Sequence, residues 1–192
     1  MSRLKDLVKN EDPVHERRME FRSYPLDKKG LIVEGWLRDE RFVPGYIWDG
    51  TPRQTGMVHW MCVRMLVGQA PLTILEVEAE MPGVPHELCT TTMQAVKKIV
   101  GLSISAGYSE KVHELLGGIR GCTHLTHLIV SMGPAALHGY ATQQARKHRP
   151  MPSSLDELPG LDYIINSCAL WKEDGPLMQS VLDTLKRHEK DA

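Results

Sequence analysis

Within one eleven-residue stretch, Gly117-Gly118-Ile119-Arg120-Gly121-Cys122-Thr123-His124-Leu125-Thr126-His127, the chain carries a thiol, two imidazoles and a guanidinium beside three glycines. Soft and borderline ligands this close together, where a glycine-rich loop meets an expected helix start, suggest two chemistries. Cys122 with His124, His127 or both could bind Zn or Fe, with further ligands supplied from elsewhere in the fold. Alternatively, a helix N-terminus lends Cys122 thiolate character, and His124 or His127 serves as its base. Residues 124 and 127 are near neighbours on one helix face, whereas 122 and 124 diverge. The plainer reading is a capped helix in which His124 satisfies a backbone or carboxylate group and Cys122 is a small buried apolar side chain.

Other residues could join this segment. His59 alternates with Met61, Val63 and Met65, so it is aimed at the core and needs a polar partner, either a hydrogen bond or a metal. Cys89 falls on the apolar face of its helix and is a core residue or a further ligand. Arg120 and Gly121, with the neighbouring backbone N–H groups, could hold an anion, and Arg64 is a second cation for a carboxylate. The loop 42–56 holds Tyr46 and Trp48 among five Gly and Pro residues and could cover a pocket, to which Trp60 would contribute. The glycines follow a helix rather than a strand, which disfavours nucleotide binding. Cys168 and Trp171 are read as packing, and Glu76, Glu78 and Glu80 as a solvated strand face.

The elements that must position these residues come in two blocks. Val14–Ser23 and Leu31–Asp39 show the two-residue period of half-buried strands. With Asp27-Lys28-Lys29-Gly30 as the turn between them, they should pair as a hairpin. Met57–Val67 and Leu72–Met81 follow, the latter setting Leu75, Val77 and Ala79 against its glutamates, and the four strands suggest an antiparallel meander. After Pro82 the period becomes helical. Cys89, Met93, Val96 and Val100 mark one helix, and Ser109 caps a second that ends at Gly117-Gly118. Thr123 caps a third to Met132, where Gly133-Pro134 kinks it or starts another toward Lys147. Residues 149–160 form a polar connector, and Gly175-Pro176 opens a last helix with Val181, Leu182 and Leu185 on one face. Strands first and helices afterwards define an α+β fold, an N-terminal antiparallel sheet of four strands against C-terminal helices.

Composition bounds the rest. A chain of 192 residues fits a single domain, 1–192, with residues 1–12 a flexible N-terminus. A net charge of -1 without basic stripes argues against nucleic acid and anionic membranes as partners and leaves a small-molecule substrate. Residues 1–10 lack the apolar stretch of a signal peptide and no segment resembles a membrane span, so a cytoplasmic location is expected. Four dispersed cysteines are then thiols or ligands rather than disulfides. The free edges of a meander favour a homo-oligomer.

The chain resembles a bacterial domain-of-unknown-function family, number 2889. The resemblance rests on His15-Glu16-Arg17, Leu37-Arg38-Asp39, Val58-His59, Val63-Arg64, Cys89, Gly101-Leu102, Gly117-Gly118 and above all Gly121-Cys122-Thr123-His124-Leu125. Cys168, Trp171 and Asp174-Gly175-Pro176 look like its closing motif. The resemblance implies a place in the catabolism of aromatic or related compounds and a carboxylate where this chain has His127, which ranks His127 below His124. The resemblance raises Cys122, His124, His59 and Cys89 above the other histidines and thiols.

Three functions follow as expectations. The first is a lyase or hydrolase acting on an aromatic or acyl carboxylic acid. Its Zn or Fe would be held by Cys122, His124, His59 and Cys89, and Arg120 or Arg64 would hold the substrate carboxylate. The second is a cofactor-free lyase with His59 or His124 as general base and an anion-binding loop. The third is a non-catalytic binding or accessory subunit in which Trp36, Tyr46, Trp48 and Trp60 line an apolar pocket.

Overall fold

The computed structural model describes residues 3–26, 29–69, 71–158 and 160–191. A short helix, α1 (Arg3–Leu7), precedes four long strands: β1 (His15–Leu26), β2 (Gly30–Arg41), β5 (Gly56–Val67) and β6 (Ile74–Gly83). They form one antiparallel sheet in the order β1-β2-β5-β6, the expected meander. A two-residue ribbon, β3 (Gly45–Tyr46) with β4 (Pro52–Arg53), interrupts the loop between β2 and β5. Of the turn before β2, Asp27 and Lys28 lie outside the described residues. Gly30 has a φ of 116° and packs its Cα side against the Val67 carbonyl, a place no side chain could enter.

One face of the sheet is apolar and carries the helices. Leu31, Val33 and Leu37 of β2 and Met61, Val63, Met65 and Val67 of β5 are buried there, as the alternation requires. In β6 the pattern differs from the expected one. A register shift at Leu66/Val67 pairs Val67 with Ile74, which turns Ile74 inward and leaves Leu75 half exposed, while Val77 stays buried.

The helical block also departs in detail. Glu87–Ile99 is a long 3-10 helix rather than an α-helix. Its three-residue period therefore buries Val96 and Ile99 and leaves Val100 exposed. α2 (Tyr108–Leu116) has Gly107 rather than Ser109 at its N-cap, so Tyr108 is inside the helix and buried. α3 (Thr123–Ala145) has Cys122 at its N-cap and runs through Pro134 without a break. It crosses the sheet at Gly35, whose missing side chain admits Met132 and Leu128. The connector contains a 3-10 turn (Leu155–Glu157), α4 (Leu161–Ile164) follows it, and α5 (Pro176–Asp191) is the last helix. No helix among the described residues is long and apolar enough to cross a membrane.

Candidate functional site

The strand register builds the site. Arg17 of β1 lies opposite Asp39 of β2, and Asp39 lies opposite His59 of β5. The three thus form a row across adjacent strands on the helix-bearing face. The next row along the same strands is Met19, Leu37 and Met61. The polar row is therefore the end of the core, where the apolar face runs out beneath the start of α3.

Asp39 is the centre. Its side chain is 2% exposed, and a buried carboxylate must be paired. Arg17 Nε and Nη2 donate to its two oxygens at 2.6 Å each, the bidentate fork that planar guanidinium and carboxylate allow. His59 Nδ1 donates to Oδ2 at 2.8 Å. His15 Nε2 stands 3.6 Å from Oδ1 and His124 Nε2 3.9 Å from Oδ2. Burial pushes the Asp39 carboxyl upward, but the hydrogen bonds and charge of Arg17, with His59, outweigh it and hold the group below its ordinary value.

α3 brings the second imidazole. Leu125 and Leu128 anchor its first turns in the core, and Thr126 Oγ1 donates to the carbonyls of Leu116 and Cys122, tying the helix start to the preceding turn. His124, one residue into the helix, is thereby laid against His59, with ring centroids 3.9 Å apart and planes tilted by 34°. Burial, the neighbouring His59 and the Arg17 charge lower its pKa, so the neutral imidazole is favoured. Cys122 Sγ lies 3.8 Å from His124 Nδ1. Among the described residues the group with metal-ligand geometry is Asp39, His59 and His124, whose ligand atoms lie within 4.8 Å of one another.

Beside this cluster opens a cleft of about 480 Å³, lined by His15, Arg17, Asp39 and His59 on one side and by Arg41, Val14, Val43, Pro44 and Val58 around them.

The expected residues thus divide. His59 and His124 come together, whereas Cys122 touches His124 Nδ1 and is not one of the residues with metal-ligand geometry. Cys89 is half-buried in the 3-10 helix and is not in the cluster. His127 is on the exposed side of α3 with its ring 6.2 Å from His113, because three residues along a helix from His124 is not the direction of the sheet. Arg120 is exposed and donates to the His113 carbonyl, and Gly121 packs close to the Leu116 carbonyl.

Arg64 and Trp60 have the opposite strand parity from Met61 and Met65, so they occupy the other sheet face. There Arg64 is paired with Glu34, Glu78 and Glu80, and the Trp60 ring is 5.7 Å from that of Trp36. Tyr46 and Trp48 are 78% and 96% exposed in the ribbon loop. The four aromatic residues Trp36, Tyr46, Trp48 and Trp60 therefore do not line one apolar pocket. Other residues of that loop, Val43, Pro44 and Gly45, do face the cleft. Cys168 is exposed.

Asp39, Arg17 and His15 were not singled out as site residues from the sequence, although the signal existed. Asp39 continues the inward parity of Leu31, Val33 and Leu37, and Arg17 shares that of Met19 and Phe21, so each is a charge on a face otherwise given to the core.

The shifted groups predict a two-part acid response. A histidine whose folded pKa is lowered binds its proton more readily in the unfolded chain. Stability should therefore fall as pH drops below about 6.5, the ordinary imidazole value. A carboxylate whose folded pKa is lowered stabilises above the unfolded value of about 3.9, and that contribution disappears as pH falls through the folded one. Thermal unfolding scanned from pH 8 to pH 3 should show both losses. His124→Gln should remove the first and Asp39→Asn the second; unchanged profiles would contradict the burial of these groups.

An α+β protein with a histidine–aspartate–arginine row at the end of its sheet is the class defined by fold and site. The chain belongs to the family described as Protein of unknown function (DUF2889), whose model matches residues 15–138. That span contains the row, His124 and all of the cleft lining except Val14, whereas Cys168 and Trp171 lie beyond it. No curated protein and no solved structure matches the chain.

Proposed function

We propose that the protein is a small-molecule lyase or hydrolase acting on an aromatic or acyl carboxylic acid, with His59 as general base. The observation that carries this reading is the 2.8 Å hydrogen bond from His59 Nδ1 to a buried Asp39 that Arg17 also clamps. With Nδ1 donating to the carboxylate, Nε2 bears the lone pair, and Asp39 stabilises the imidazolium that forms when Nε2 takes a proton. Arg17 holds Asp39 ionised and in place. His124, kept neutral, stands against the base as a hydrogen-bond donor or acceptor for the substrate, and Cys122 faces its other nitrogen.

The test is turnover of a panel of aryl and acyl carboxylic acids, followed by mass spectrometry, for the wild type and His59→Gln. Conversion of at least one acid, falling by about 100-fold or more in the variant, is expected from the loss of a general base. Full activity in His59→Gln would remove the proposal.

A metal-dependent form of the same reaction is favoured by one further observation, the 4.8 Å clustering of the Asp39, His59 and His124 ligand atoms. Two imidazoles fit Zn or Fe. The carboxylate fits less well as a direct ligand, because Arg17 already engages both of its oxygens, and it suits the outer role of orienting a ligating histidine. A bound metal would act as a Lewis acid toward a carbonyl or water. Elemental analysis of tag-free protein distinguishes the two forms. About one Zn or Fe per chain, lost in His124→Ala, supports the metal form. Activity that survives exhaustive chelation supports the histidine base alone.

A further inference from the structure

The cleft beside the row has an uneven charge. Its lining contains two arginines and one carboxylate, and Asp39 is wholly engaged by Arg17. Arg41 is the cation left over. Among the described residues it has no carboxylate partner within ion-pair distance. The one side-chain hydrogen bond it makes among the described residues is a 3.3 Å donation to the Gln54 carbonyl, which leaves most of the guanidinium fork unused. The other arginines of the sheet differ: Arg17, Arg18, Arg22, Arg38 and Arg64 are each paired with an acid.

Arg41 follows Asp39 by two residues on β2 and shares its cleft. Strand rise separates their backbones by roughly 6.5 Å. Val14, Val43, Pro44 and Val58 supply an apolar wall around that interval. A cation at one end, a basic nitrogen at the other and apolar side chains between them match a molecule of the same layout.

We infer that Arg41 is the carboxylate anchor of the site, and that the ligand is a monocarboxylic acid that lies in the cleft between the Arg41 guanidinium and His59. This rests on the reading of His59 as the reacting base. It reassigns the anchoring role expected of Arg64 or Arg120, which the fold places in an ion-pair network and in a turn. Such a ligand lies with its acid group toward the ribbon loop and its ring against Val43, Pro44 and Val58. Its far end meets His59. Arg41 is a specificity determinant and takes no part in proton transfer.

Calorimetric titration with 3-phenylpropanoate and its neutral isostere 3-phenylpropanamide tests this. Arg41→Gln should weaken binding of the acid by about 10- to 100-fold, the worth of one charge-assisted pair, and leave the amide within about twofold of wild type. Arg41→Lys should recover most of the loss for the acid. The base assignment is read separately, from turnover in His59→Gln, so its failure is distinguishable from a failure of Arg41 to bind the carboxylate. Equal weakening of acid and amide in Arg41→Gln, no weakening of either, or absence of acid binding to the wild type at millimolar concentration would each overturn the inference.

Discussion

Replacing Asp39 by Asn should lower turnover by roughly 1,000- to 10,000-fold, the scale seen when an aspartate that orients a catalytic imidazole loses its charge. Three effects act together. The amide N–H₂ cannot accept from His59 Nδ1, so the ring is free to adopt the tautomer with its proton on Nε2, where the lone pair is needed. The imidazolium formed during proton transfer loses its counter-charge. Arg17, which meets both Asp39 oxygens at 2.6 Å, is left with one acceptor. Because the Arg17 side chain is 39% exposed and water can take over part of its solvation, the stability cost should be only about 1–3 kcal/mol. The protein therefore stays folded and the lost activity can be assigned to the site. Nitrogen-15 NMR of the histidine rings checks the mechanism directly: His59 should change tautomer in the variant. Turnover within tenfold of wild type would show that Asp39 is structural alone.

The second large effect lies in the packing that holds α3 and its histidine in position. Gly133→Ala should destabilise the fold by about 2–4 kcal/mol, measured by urea denaturation, even though alanine is favoured over glycine inside a helix by about 1 kcal/mol. A Cβ at this position would stand 2.6 Å from Tyr108 Cε1 and 2.7 Å from Cδ1. The obstacle is a rigid ring, not the tip of a flexible side chain. Tyr108 is 5% exposed and donates its hydroxyl to the Ile129 carbonyl at 3.0 Å, so moving the ring breaks a buried hydrogen bond and separates α2 from α3. Tyr108→Phe should cost only about 1 kcal/mol, since it loses the hydrogen bond but keeps the packing. If Gly133→Ala is neutral or stabilising, the close approach of the two helices is wrong.

Sequence alone determined the layers of this protein. Alternation in Met57–Val67 and Leu31–Asp39 is a local property of extended chain, because successive side chains must point to opposite faces. The inward aim of His59, the buried methionines and the meander all follow from it. The Gly117–His124 segment was legible for a similar reason. Glycines that end one helix and precede another create a turn from local conformational preference, and that turn sets Cys122 at the start of α3.

What only the tertiary structure decided was which polar groups meet. Parity places Arg17, Asp39 and His59 on one face, but the row they make depends on register between strands 22 and 20 residues apart. A shift of one residue would have separated them. His127 and Cys89 illustrate the converse. Their chemistry suits a metal as well as that of His124, but helix phase turns His127 outward and the 3-10 period leaves Cys89 outside the cluster. Arg64 looked like a substrate cation until the opposite sheet face supplied it with three glutamates, whereas Arg41, unremarkable in the sequence, has no carboxylate within ion-pair distance among the described residues. Residue type and local period determine what each side chain can do. The pairing of distant strands and the seat of α3 upon them determine which of those chemistries share a site.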